Sequence, residues 1–254
     1  MNIDIPGMYH EYIQWESDNR SEAYKEWDGW FRASSAGQCF KKQAYRLRKV
    51  EGETMEPRVS RNLRLGTIIH EDIAKAVQII ETEGQSYFTE YRVEIPDFKV
   101  VGHIDVATMD GEGPEKPPKN GQIVDIKTVH SYKWRKMFGY KKNRDTNPSK
   151  NYETQVGTYA IGLADKHNLD HVDMSILWYK KDDGNMKYQT VHQKYIAVAM
   201  EYWAELTEII DSIKGQDIGV LAAGTEPNVP IYEWECRYCE FRNICDTPFN
   251  RSIT

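Results

Sequence analysis

Three cysteines crowd into Cys236-x-x-Cys239-x-x-x-x-x-Cys245 near one end of the chain, and the fourth, Cys39, stands alone near the other. A site built from all four must bring the two ends of a 254-residue chain together. Arg237, Tyr238 and Arg242 lie among the three, where unrelated core thiols would have aliphatic neighbours. Four thiolates can hold a tetrahedral Zn²⁺ or a 4Fe–4S cluster. Structural zinc sites usually present two close pairs of ligands, so a one-plus-three spacing favours the cluster, with Zn²⁺ the lesser alternative. Closing so long a loop removes unfolded-chain entropy, and ligand binding then couples to folding.

The remaining composition sets limits. The chain is 40% apolar and 12% aromatic, too rich for disorder, and its length suits one large domain or two small ones. The longest apolar runs are a few residues, so no segment spans a bilayer and no membrane partner is expected. The opening MNIDIPGMYH has neither the basic nor the apolar region of a secretory signal. The expected compartment is the cytoplasm, a phage product acting in its host included. There thiols stay reduced, and clustered cysteines speak for metal over disulfide. A formal charge of −6 weighs mildly against a nucleic-acid partner, although a net figure averages over local asymmetry.

Hydrophobic periodicity gives an outline. Tyr9, Tyr12 and Trp15 suit the packing face of a short helix. Gly66–Gln85 reads as an amphipathic helix with Ile69, Ile73, Val77 and Ile80 on one face. Tyr87–Ile95, Lys99–Met109 and Gln122–Val129 read as three strands of a meander. The loop DGEGPEKPPKNG divides the last two. Asn151–Asp165 returns to helix, and Met174–Tyr179 pairs with Lys187–Val191 across an Asp183-Gly184 turn. His192–Lys214 is a long helix striped by Ile196, Met200, Trp203, Leu206, Ile209, Ile210 and Ile213. The order implies an α/β fold with a mixed sheet. Three regions are expected: an N-terminal helical segment 1–60, a core 61–215 and a cysteine-rich segment 216–254.

The chemistry concentrates on Asp125-Ile126-Lys127. In a strand, residues i and i+2 share a face, so carboxylate and ammonium project together while Ile126 turns to the core. A carboxylate can hold a divalent cation that acidifies a bound water, and a lysine can orient the nucleophile or counter developing charge. Asp105 lies on the preceding strand, after Gly102, where close backbone approach is allowed. If those strands pair, the two carboxylates converge on one ion, and oxygen ligands suit Mg²⁺ or Mn²⁺. His70 would complete a Mn²⁺-tolerant set. Gln155 and Tyr159, spaced i and i+4, share one face of the next helix. Alone, each of these is as well explained by a solvated salt bridge, a satisfied histidine or a packed tyrosine.

In this order the set resembles the PD-(D/E)XK nuclease superfamily, in its RecB-like branch. The resemblance rests on Gly66 and His70, Gly102 and Asp105, Asp125-Ile126-Lys127, and Gln155-x-x-x-Tyr159. It implies a restriction-endonuclease-like core, a mixed central sheet flanked by helices. It implies metal ligation by His70, Asp105, Asp125 and the carbonyl of Ile126. It also implies Lys127 as the catalytic lysine, with Gln155 and Tyr159 as a polar pair behind it. Asp125 stands where glutamate is commoner, which shortens the reach to the metal. The cysteine order, one before the core and three after it, resembles the iron–sulfur members of this branch. These include AddB-type nuclease domains and CRISPR-associated exonucleases of the Cas-four type. By that resemblance the cluster joins the N- and C-terminal segments, as a structural clamp near the DNA path.

Two basic stretches are candidate DNA contacts. Lys133–Arg144, KWRKMFGYKKNR, carries six basic residues and no acidic one, with Trp134, Phe138 and Tyr140 interleaved. Lys133, Arg135, Lys136, Lys141, Lys142 and Arg144 can track phosphates, and Trp134 can stack on unpaired bases. Lys41, Lys42, Arg46, Arg48 and Lys49 form the second, with Arg32 and Ser34 upstream as phosphate contacts. The expected function is metal-dependent DNA hydrolysis, most simply exonuclease action on single strands or DNA ends. Recombination, repair or DNA-acquisition proteins would be its partners. The alternatives are a catalytically weak DNA- or partner-binding module of the same fold, and a structure-specific endonuclease. A redox iron–sulfur protein would leave His70, Gln155 and Tyr159 without an explanation.

Overall fold

In the computed structural model, residues 3–23, 25–80, 86–111, 117–139, 150–215 and 233–245 are described. Among the described residues, six strands form one mixed sheet. Strands β2 (Tyr87–Ile95) and β3 (Val100–Met109) pair antiparallel along nearly their whole length. The far edge of β3 is shared. The short β1 (Phe31–Arg32) runs parallel to Val100–Val101, and β4 (Asn120–Val129) pairs antiparallel with Val106–Met109. Beyond β4 lies β5 (His171–Lys180), parallel to it over ten residue pairs. The antiparallel β6 (Met186–Thr190) closes the edge.

Helices cover both faces. On one side α5 (Lys150–His167) lies across the sheet with α6 (Lys194–Ser212) packed on it. Ile104, Ile123, Ile176, Val156, Leu163 and Trp203 form the main core there. On the other side α3 (Pro57–Ile79) sets Ile73 and Val77 against Val106, Ile126 and Leu177. Proline at the first position of α3 suits a turn whose amide has no partner. Helix α1 (Ile5–Ala23) packs on α3. The parallel β4–β5 pair alternates exposed and buried residues in its first half and is more fully buried towards Ile126 and Leu177.

Gly157 sets the α5–α6 distance. A Cβ there would strike the backbone carbonyl of Tyr195. Gly157→Ala is therefore expected to destabilise the fold by about 1–3 kcal/mol. A denaturant melt matching the wild type would contradict that reading.

Several sequence expectations need correction. Tyr9, Tyr12 and Trp15 stack on one another along α1, but all three are exposed. The buried stripe of α6 runs through Tyr195, Ala199, Tyr202, Trp203 and Leu206, one position off the aliphatic one at its start, and Met200 is exposed. Tyr202 can be buried because its hydroxyl has partners. Tyr202 donates to the Gln38 carbonyl at 2.8 Å, so its ring can be buried at little cost. Two helices, α2 (Phe40–Leu47) and α4 (Ser131–Phe138), lie in stretches read as basic rather than helical. Helix α3 begins nine residues earlier than its apolar pattern and ends at Ile79.

Candidate active site

The geometry of the site begins at a fault in the sheet. Tyr87 packs on the α3 side, whereas Tyr91, Val93 and Ile95 pack on the α5 side. Regular alternation would keep all four on one face. Glu90, between them, has φ of +49°, the left-handed region a side chain rarely enters. On β3 the same change occurs. Val100 and Ile104 lie in the main core, and so does Ala107, while Val106 has turned to the α3 side. Asp105 sits at that break, across from Glu90. The β3–β4 register runs no further than Val106 opposite Val124. Beyond it the Asp105 carboxylate replaces the ladder, accepting the Ile126 amide at 2.5 Å. Backbone strain of this kind gathers at functional sites.

Asp105, Lys127 and His70 line one open cleft of about 1220 Å³ together with Glu90, Tyr152 and Lys181. His70 Nδ1 lies 3.6 Å from Asp105 Oδ2. Asp125 is buried beneath, with 1% of its surface exposed. Its Oδ1 accepts hydrogen bonds from Lys127 Nζ at 2.9 Å and Gln155 Nε2 at 3.2 Å. Gln155 also donates to the Tyr159 hydroxyl at 2.9 Å. Gln155 and Tyr159 thus meet Asp125 from behind and do not line the cleft. Gly102 makes this possible, because a Cβ there would lie 2.8 Å from the Tyr159 ring.

Electrostatics favour a bound cation. Burial is the main influence on Asp125 and pushes its carboxyl up to about 6, against the pull of Lys127 and with a further push from Asp105. Burial also works against charge on Asp105, but the neighbouring His70 imidazole and Lys127 prevail and hold it below the usual carboxylate range. For Lys127 burial opposes the ammonium, and the two aspartates outweigh it and raise its pKa. Asp105 and Asp125 both act on the Lys127 ammonium. Asp125 Oδ2 has that ammonium at 2.7 Å and no other hydrogen-bond partner. A buried carboxylate oxygen with spare acceptor capacity beside a second carboxylate fits a hard divalent cation. Among the described residues, no three His, Cys, Asp or Glu side chains yet stand at metal-holding spacing. Lys127 and the Ile126 amide take up the acceptors that would turn to an ion.

Tyr152 escaped the sequence reading. Its ring lies 5.4 Å from Lys127 Nζ and 4.5 Å from Lys133 Nζ. The signal was available, since Tyr152 precedes Gln155 by three positions on one helix face.

The four cysteines come together. Cys39, the N-cap of α2, and Cys236, Cys239 and Cys245 line one cavity of about 20 Å³. Burial pushes the Cys39 thiol up to about 12, despite the opposing pull of the nearby Lys42 and Lys41 amides. Four thiols on one cavity are the donor chemistry of a cluster or zinc, but no three of them stand at metal-holding spacing among the described residues. The two chain ends also meet through protein contacts alone. Tyr45 stacks on Phe241 at 4.9 Å, and Lys42 and Arg46 pair with Glu240. The Glu53 amide donates to the Glu240 carbonyl.

The basic candidates divide. Arg32 and Ser34 are exposed and line a separate cavity beside β1. Arg135 and Lys136 are exposed on α4. Trp134 instead packs edge-on against Phe138, which meets core Trp178, so it is not a free stacking platform. Lys133 lies over Tyr152 and Trp178. Lys141, Lys142 and Arg144 lie outside the described residues. In the second stretch Lys41 is buried, Arg48 donates to the Ile213 carbonyl, and Lys49 pairs with Asp28. No helix among the described residues is long and apolar enough to cross a membrane.

Fold and site define an α/β protein whose charged groups gather where a mixed sheet breaks register. The model of the PD-(D/E)XK nuclease superfamily matches residues 72–246, more than half of the chain. The chain belongs to that superfamily. Among solved structures it is similar to SSO0001, at 14% identity and TM-score 0.52, covering 93% of this chain and 95% of that one. That likeness establishes a shared fold. A second similar structure is named "Putative exonuclease" from Eubacterium rectale, at 15% identity and TM-score 0.46, covering 77% of this chain and 86% of that one. No curated protein matches the chain.

Proposed function

We propose that the protein is a divalent-metal-dependent deoxyribonuclease of the RecB-like branch, acting as an exonuclease on single-stranded DNA or DNA ends. The observation that carries this reading is the meeting of Asp105, His70 and Lys127 in one cleft above buried Asp125. Asp105, Asp125, His70 and the Ile126 carbonyl would hold Mg²⁺ or Mn²⁺, which when bound supplies an acidified water and charge neutralisation at the phosphate. Lys127 is the catalytic lysine, placed to orient the nucleophile and offset charge developing on the phosphate oxygens. Gln155 holds Asp125 in place and Tyr159 holds Gln155, so both act as positioning residues. Arg135 and Lys136 contact phosphates, and Lys133 supports Tyr152 at the cleft wall. The four cysteines bind a structural 4Fe–4S cluster, with Zn²⁺ the alternative, in a cytoplasmic enzyme of recombination, repair or DNA acquisition.

Metal binding is testable without turnover. Saturating Mn²⁺ is expected to raise the melting temperature by about 5–10 °C, the effect of a ligand at roughly a hundred times its Kd on a chain this long. Asp105→Asn should abolish that shift, and a shift unchanged in the variant would remove Asp105 from the ligands. The exonuclease reading is tested on linear and covalently closed circular single strands of one sequence. Degradation of the linear form alone is expected, and equal cutting of the circle would establish an endonuclease.

A further inference from the structure

A second large cavity, of about 770 Å³, lies on the β1 side and falls within the roughly 300–1,000 Å³ of small-molecule sites. Its wall includes Trp27, Trp30, Arg32, Ser34 and Arg46. Trp27 lines the catalytic cleft as well, so the two spaces share a wall. The tryptophans meet edge to face at 4.9 Å, and Arg92 lies 4.6 Å over the Trp27 ring. Gly29, with φ of +82°, closes the turn between them. Arg32 pairs with Val101 on β3, and Asp105 is four residues further along that strand, about 13 Å away. The anions at the rim are already matched, Asp28 to Lys49 and Glu240 to Arg46 and Lys42, so neither presents an uncompensated negative charge to a phosphate.

Half-buried indole beside exposed guanidinium and hydroxyl is the chemistry that holds an unpaired nucleotide, a base on an aromatic ring with cations on its phosphate. We propose that this cavity is a subsite for a nucleotide of the single-stranded DNA whose scissile phosphate lies in the cleft. Trp30 stacks the base, and Arg32 and Ser34 contact the phosphate. The subsite rests on the nuclease reading above and gives it a substrate form, an unpaired strand led along β3 between the two cavities.

The test uses the full chain in EDTA, so that DNA is bound and not cut, with fluorescein-labelled oligothymidylates of graded length followed by anisotropy. Trp30→Ala is expected to weaken binding of the longer oligomers roughly 5- to 150-fold, the range for one stacked base. Trp30→Phe should restore most of the affinity. Arg32→Ala should lower the slope of log affinity against log salt by about 1. If Trp30→Ala melts below the wild type, the exposed Arg32 variant decides alone. Wild-type affinity in Trp30→Ala together with a wild-type salt slope in Arg32→Ala overturns the subsite, even while the wild type still cuts DNA with Mn²⁺. A wild type that neither binds nor cuts DNA overturns the nuclease reading itself.

Discussion

Lys127→Ala is expected to reduce DNA cleavage about 10²- to 10³-fold, the loss seen when one preorganised charge-stabilising donor is removed from an active site. Lys127 is the cation that both aspartates hold in its charged form, and it lines the open cleft while Asp125 lies beneath. Lys127→Arg should rescue little, because a planar guanidinium is not a compact ammonium and the space is bounded by Tyr152. The fold should survive, since Gln155 still donates to Asp125 and a carboxyl already raised to about 6 can take up a proton. Single-turnover cleavage of end-labelled DNA, with a melt as control, makes the measurement. A variant within tenfold of the wild type would remove Lys127 from the chemistry.

Cys39→Ala is expected to remove a brown chromophore near about 400 nm together with most of the bound iron. Cys39 is the one thiol contributed by the N-terminal half, and it lines the same cavity as the other three. A cross-link closing a loop of this length is worth on the order of 5 kcal/mol, so stability should fall as well. The fall should stop short of unfolding, because the Tyr45–Phe241 stack and the Glu240 ion pairs join the same segments without the cysteines. Iron content and absorbance unchanged in the variant would exclude Cys39 as a ligand. A colourless wild type carrying one equivalent of zinc would decide for the alternative metal.

What could be read from the sequence was what local periodicity and motif spacing encode. Tyr87–Ile95 is the strand its aromatic and β-branched content implied, residue for residue. Asp125 and Lys127 share a strand face, and Gln155 and Tyr159 a helix face, as period two and period 3.6 require. What escaped was set by tertiary contact. Nothing local marks Glu90 for a left-handed φ, so the reversal of β2 and β3 that aims Asp105 at the Ile126 amide was invisible. The basic stretch at α4 read as a DNA contact with Trp134 open to unpaired bases, yet Phe138 and Trp134 are packed towards core Trp178. The stripe of α6 was displaced where Tyr202, whose hydroxyl finds distant carbonyl partners, competes with its neighbours for burial. The mutual proximity of Asp105, His70 and Lys127 is likewise a property of the broken sheet, although each residue was named by its motif.

The central claim is that this cleft cuts DNA with the help of a divalent ion. It is tested most directly by incubating purified protein with end-labelled single-stranded DNA in Mg²⁺, in Mn²⁺ and in EDTA. The expected result is cleavage with either ion and none in EDTA, restored when the ion is returned in excess. Cleavage that proceeds unchanged in EDTA would contradict it.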